Sequence, residues 1–166
     1  MENLWAPWRM AYILGNRPRS CIFCPEGNGE SDGERLLLYK GDRSMVMMNR
    51  FPYNNGHLLV APWKHTPSLD GLGDEELFDL VRTVRLSVAV LRETMSPDGF
   101  NVGLNLGAVA GAGVEDHVHF HIVPRWNGDT SFMTVLAEVR VIPEHLQQIY
   151  ERLLPYFEKE KLNESS

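Results

Sequence analysis

Cysteine is nearly absent. Cys21 and Cys24 are the only two in 166 residues, too few for a disulfide framework. The core must therefore form by hydrophobic packing, and a reducing, cytoplasmic compartment is expected. Excess positive charge is also missing. Lys and Arg number 16 against 22 Asp and Glu, giving a net charge of −6 and a pI near 5.5. This excludes broad, salt-driven binding to polynucleotides or anionic membranes, and leaves room for a small anionic ligand in a local pocket. Long apolar runs are lacking. The stretch Leu58 to Trp63 is far too short to span a bilayer. Glu2, Pro7 and Arg9 interrupt the first fifteen residues, so no export signal is expected. There is no internal repeat and no low-complexity tract. What remains is ordinary: 43% hydrophobic and 23% charged residues. That composition suits one domain over 1–166, with an N-terminal extension over 1–20 and a polar tail from about 159 to 166.

Residues 25–34 are a loop by composition. Leu36 to Tyr39 and Ser44 to Asn49 read as strands joined by a turn at Gly41-Asp42. After a turn at Pro52 to Gly56, His57 to Ala61 reads as a short strand stopped by Pro62. Asp74 to Met95 is the clearest helix. Asp74 is the expected cap, Glu75 and Glu76 suit the positive end of the helix dipole, and Leu77, Leu80, Val81, Val84, Val88 and Leu91 form the core-facing stripe. Ser96 to Gly99 ends it. Phe100 to Leu106 and His117 to Val123 read as strands flanking the glycine-rich loop Gly107 to Gly113. Pro143 to Phe157 reads as a C-terminal helix with proline at its start. Consecutive strands with short connections favour an antiparallel sheet. Helices set apart from them give an α+β architecture.

The chemistry concentrates in His117, His119 and His121, which alternate with Val118 and Phe120. Side chains of a strand alternate between faces, so the three imidazoles share one face and the apolar residues point to a core. A metal-binding or merely polar strand is the blander reading. A face given over to imidazole sacrifices core packing, which points to chemistry. Cys21-Ile22-Phe23-Cys24 reads as half a metal site, and by itself is equally a redox pair or two small buried residues.

The segment His117-Val118-His119-Phe120-His121-Ile122-Val123 matches the signature of the histidine triad (HIT) superfamily. Asn49 followed by Gly56-His57-Leu58-Leu59-Val60-Ala61-Pro62 resembles its upstream segment, and Asn101 to Gly113 its strand and loop before the triad. The flanks Leu4 to Arg9 and Trp126 to Asp129 resemble a bacterial branch of diadenosine tetraphosphate phosphorylases and hydrolases. The resemblance implies a sheet of about five antiparallel strands with one long helix and a C-terminal helix. It also implies a homodimer with a continuous sheet, and Trp5, Trp8 and Trp126 suit an interface or the core equally.

For activity, the resemblance implies transfer of a nucleoside monophosphate from a nucleotide or dinucleoside polyphosphate onto His119, then to phosphate or water. Neutral imidazole suits this, because its unperturbed pKa is about 6.5. A main-chain carbonyl anchors the second nitrogen of His119. His121 and His57 flank the α-phosphate and donate to its oxygens, one of them being available to protonate the leaving group. Asn105 and the amides of Gly113 and Val114 cradle phosphate, although Val114 stands where many relatives carry Ser or Thr. Asn49 takes the ribose. Met47 and Phe51 line the base pocket or pack in the core. A nucleoside phosphoramidate hydrolase and a non-enzymatic, zinc-stabilised nucleotide-binding module are the alternatives. The resemblance also supplies His65 and His117 as partners for Cys21 and Cys24. The four make a closed, tetrahedral zinc site, structural rather than catalytic. His117, first of the triad, is then not a free acid or base. His145 has no role and is expected at the surface or in helix packing.

Overall fold

A computed structural model describes residues 21–24, 31–129 and 145–164. Leu4 to Arg9 with Trp5 and Trp8, most of the 25–34 loop, and Pro143 lie outside the described residues. The strands are β1 (Leu37–Lys40), β2 (Ser44–Met48), β3 (Leu58–Pro62), β4 (Gly99–Leu104) and β5 (Phe120–Arg125). The α-helices are α1 (Asp74–Met95) and α2 (Leu146–Glu164). The strands form one antiparallel sheet in the order β1-β2-β3-β5-β4. The α+β architecture and the five-stranded sheet agree with expectation. Helix α2 runs on to Glu164, so the polar residues from 159, expected as a tail, are largely helical. Among the described residues, no helix is long and apolar enough to cross a membrane.

The two faces of the sheet have different jobs. Val46, Met48, Leu58, Val60 and Ile122 pack with Leu80 and Leu91 of α1 and with Ile149, Leu153 and Phe157 of α2. The Tyr150 hydroxyl donates to Leu37 O at 3.2 Å and ties α2 to β1. A smaller cluster of Phe23, Leu37, Met45, Met47, Leu59 and Ala61 covers the other face. Met47 is thus a core residue, whereas Phe51 is 63% exposed.

Helix α1 occupies the expected span, but two of its details differ. Gly73, not Asp74, is the cap residue: its N–H donates to the Glu76 carboxylate at 2.8 Å and closes the first turn. Val81 is 58% exposed, and the buried positions of the stripe include Asp79, Thr83 and Ser87. Asp79 and Thr83 find their partner on β2, where the buried Ser44 hydroxyl donates to Asp79 Oδ2 at 2.6 Å and lies 2.8 Å from Thr83 Oγ1, while Ser87 Oγ donates to Thr83 O at 2.8 Å. A satisfied polar pocket therefore takes core space that an apolar stripe would otherwise fill.

The connection from β2 to β3 places His57. Asn49 N–H donates to His57 O at 3.0 Å, and Gly56 adopts φ +71. A Cβ on Gly56 would lie 2.6 Å from Met95 Sδ and 3.2 Å from Leu91 Cδ2, because the loop runs directly against α1. Asn54 fastens the loop to the end of β5, donating to Pro124 O at 3.2 Å and to Asp129 Oδ2 at 2.9 Å. Gly56→Ala is expected to destabilise the protein by about 2–4 kcal/mol through left-handed strain and overpacking. Thermal unfolding checks this, at about 2–4 °C of Tm per kcal/mol. An unchanged Tm would mean that the loop is free to retreat from α1.

Candidate functional site

The ladder of β5 begins at Phe120, so His117 and His119 precede it. The alternation nevertheless persists. Val118 and Ile122 belong to the helix-side core. His121 pairs with Leu59 of β3, and cross-strand partners share a face, so His121 lies on the face of the smaller cluster. Successive imidazoles stay close: the His119 and His121 ring centroids are 4.9 Å apart.

Hydrogen bonds fix each ring's tautomer, because a carbonyl oxygen only accepts. His119 Nδ1 lies 2.8 Å from His117 O and carries the proton. Its Nε2 therefore presents a lone pair, and the expected main-chain anchor is found. His57 Nδ1 accepts from the Tyr53 N–H at 3.0 Å and lies 3.3 Å from Asn49 Nδ2. The proton of neutral His57 is then on Nε2, which donates to His121 Nδ1 at 3.0 Å. Neutral His121 in turn carries its proton on Nε2, a buried atom with no hydrogen-bond partner among the described residues. Two neighbouring imidazoles therefore present opposite chemistry, a lone pair on His119 and a donor on His121. Burial pushes the pKa of His119 down and that of His121 down to about 4, so both rings are neutral at pH 7.

The expected cysteine and histidine set also comes together. The ligand atoms of Cys21, Cys24, His65 and His117 all lie within 4.8 Å of one another. His117 Nδ1 is 3.3 Å from Cys21 Sγ, 3.8 Å from Cys24 Sγ and 3.2 Å from His65 Nδ1, while Cys24 Sγ is 3.3 Å from His65 Nδ1. Tetrahedral zinc bound to sulfur and nitrogen holds its ligands about 3.3–3.8 Å apart. The donor set fits. His117 Nε2 lies 2.8 Å from Pro62 O and carries the proton, which leaves Nδ1 as the ligating atom. Burial pushes His117 down to about 4, favouring the neutral form that a metal requires.

Residues 30–128 match the HIT domain family. The chain belongs to that family. It is 36% identical over 155 residues to AP-4-A phosphorylase of Mycobacterium tuberculosis, covering 89% of this chain and 80% of the relative. It is 30% identical over 134 residues to adenosine 5'-monophosphoramidase hnt1 of Schizosaccharomyces pombe, covering 81% of this chain and 96% of the relative. A crystal structure of a Zn-bound histidine triad family protein from Mycobacterium smegmatis superposes with a TM-score of 0.62 at 26% identity, covering 79% of this chain and 88% of that one.

Not every expected member of the HIT site sits where anticipated. His57 stands behind His121, with both ring nitrogens engaged. Asn49 is beside His57, and its Oδ1 accepts from the Phe51 N–H at 2.9 Å. The amide of Asn105 donates to Gly111 O at 3.4 Å, bracing the glycine-rich loop. Gly113 is exposed, and Val114 packs against the smaller cluster, using an apolar side chain where many relatives carry a hydroxyl. His145 is exposed at the start of α2, its ring 3.4 Å from Gln147 N. Trp126 is half-buried in the turn closed by Asp129.

Two contributors lie outside the expected set. Tyr53 stacks on His121, with centroids 5.6 Å apart and planes at 21°, and sits 4.6 Å from the His57 ring. Phe23 is fully buried against His117 and His119. A large apolar residue inside C-x-x-C is a legible sign that the knuckle packs inward. Nothing local marks Tyr53.

Proposed function

We propose that this HIT domain is a nucleotidyl transferase or hydrolase acting on a dinucleoside polyphosphate of the diadenosine tetraphosphate kind. The opposed tautomers of His119 and His121 carry the reading. His119 Nε2 attacks the α-phosphorus. An N–P bond forms as the P–O bond to the leaving polyphosphate breaks, giving a nucleotidyl-histidine. Phosphate or water then attacks the same phosphorus, and the electron pair returns to His119. His121 Nε2–H donates to a phosphate oxygen as charge develops there. His57 acts from behind, keeping the proton of His121 on Nε2. Asn49 serves the ribose, and Asn105 with the amides of Gly113 and Val114 serves the phosphates. The identity to a relative named AP-4-A phosphorylase supports this substrate class.

Zinc is the metal we assign to Cys21, Cys24, His65 and His117. When bound it supplies a cross-link with no open coordination position. A reducing cytoplasm keeps both thiols available to it. A homodimer formed along the edge strand β4, where Val102 is 45% exposed, would continue the sheet.

Product analysis with diadenosine tetraphosphate tests the assignment. ATP with ADP, formed only when phosphate is supplied, identifies a phosphorylase. ATP with AMP, without added phosphate, identifies a hydrolase. Intact dinucleotide alongside cleavage of an adenosine phosphoramidate would replace this reading with the phosphoramidate hydrolase. Binding without turnover of either would leave a nucleotide-binding module.

A further inference from the structure

We propose that the Cys21–Cys24 knuckle is a positioning device for His119, with Phe23 as its positioning residue. The inference rests on His119 being the nucleophile. The knuckle is a tight turn, with Cys24 N–H donating to Cys21 O at 3.2 Å. It carries Phe23, which is 0% exposed, onto the histidine segment. The Phe23 ring centroid is 5.0 Å from that of His117 and 4.9 Å from that of His119. His121 lies 4.9 Å from His119, with its plane at 62°. His119 therefore has Phe23 and His121 as ring neighbours at equal distance.

The second restraint passes through the same knuckle. His117 faces Cys21, Cys24 and His65 through Nδ1 and bonds Pro62 O through Nε2. Val118 N–H donates to Thr66 O at 2.7 Å, which pins the following peptide. The carbonyl of His117, so held, accepts the Nδ1–H of His119. That single bond leaves an imidazole able to hinge about it. The Phe23 ring blocks the hinge and keeps Nε2 in the line of attack. A supporting shell of this kind decides whether a reacting atom is placed within a fraction of an ångström.

A purely structural Phe23 and a positioning Phe23 differ in what they move. If Phe23 only fills the smaller core cluster, its replacement lowers stability and leaves kcat per folded molecule unchanged. If it positions His119, kcat falls and KM does not. The test uses full-length, zinc-loaded Phe23→Leu and Phe23→Ala. It reads metal content, kcat and KM with diadenosine tetraphosphate, and solvent exchange of the His119 Nδ1–H by nitrogen-15 NMR. Both variants are expected to keep their metal. A misplacement near 1 Å costs about 100-fold, so kcat should fall about tenfold in Phe23→Leu and about 100-fold in Phe23→Ala, with KM within about threefold. The Nδ1–H of His119 should exchange faster in both. Unchanged kcat with metal retained overturns the proposal, as does a lower kcat with unaltered exchange at His119. If Phe23→Ala fails to fold, Phe23→Leu decides by the same criteria. If wild-type protein turns over no dinucleotide, the proposed function falls, and the exchange rates alone settle whether Phe23 positions the ring.

Discussion

Glycine in place of His119 is expected to lower turnover of diadenosine tetraphosphate by at least about ten-thousand-fold, as loss of a nucleophile does elsewhere. Nucleotide affinity should stay within about threefold, because the change removes an interaction made in the transition state rather than uniform binding. The size of the effect follows from the geometry. His119 is the imidazole whose Nδ1–H is taken by a carbonyl, leaving Nε2 with its lone pair. His121 is 4.9 Å away, and its own Nε2 carries the proton when its Nδ1 accepts from His57. A neutral His121 therefore lacks the lone pair needed to take over. Steady-state kinetics with equilibrium binding of a non-hydrolysable analogue checks both parts. Turnover within tenfold of wild type would mean that the nucleophile lies elsewhere.

Removing a ligand of the cysteine and histidine cluster should produce the largest change in stability. Cys24→Ser is expected to abolish stoichiometric metal and to destabilise the protein by on the order of 4 kcal/mol or more, since a closed zinc site contributes directly to folding. At this chain length that is a fall in Tm of about 8–16 °C. The four donors come from separate stretches of chain: the knuckle at 21–24, His65 beyond β3, and His117 just before β5. Without the metal, the four side chains keep only their polar contacts of 3.2–3.8 Å with one another. Metal analysis and calorimetry on wild type and variant measure the effect. Wild-type protein free of metal, with a Tm equal to that of the variant, would remove the zinc assignment.

The chemistry is more legible in the sequence than the packing that supports it. Alternation in His117 to His121 is enough to put three imidazoles on one side, because strand periodicity needs no partner. The same holds for α1, whose ends and apolar period are local. Val81 shows where local periodicity stops being informative. It continues the period, yet it is exposed, because Ser44 from a distant strand satisfies Asp79 and Thr83 and gives those positions the core instead. His57 shows the same limit within the site. Its identity is readable, but its place behind His121 depends on the Tyr53 main chain and on a loop pressed against Met95. Cys21 and Cys24 announce half a site, and only the fold brings His65 and His117 to them. Phe23 is plain in the sequence, but its contact with His119 spans most of the domain and has no local signature.

The central claim is a covalent nucleotidyl intermediate on His119. Rapid quenching of the enzyme with diadenosine tetraphosphate, followed by mass spectrometry of the protein and its peptides, tests it most directly. One adenylyl group on the peptide carrying His119, forming and decaying at least as fast as turnover, is the predicted result. Full turnover with no adduct, or an adduct on another residue, would contradict it.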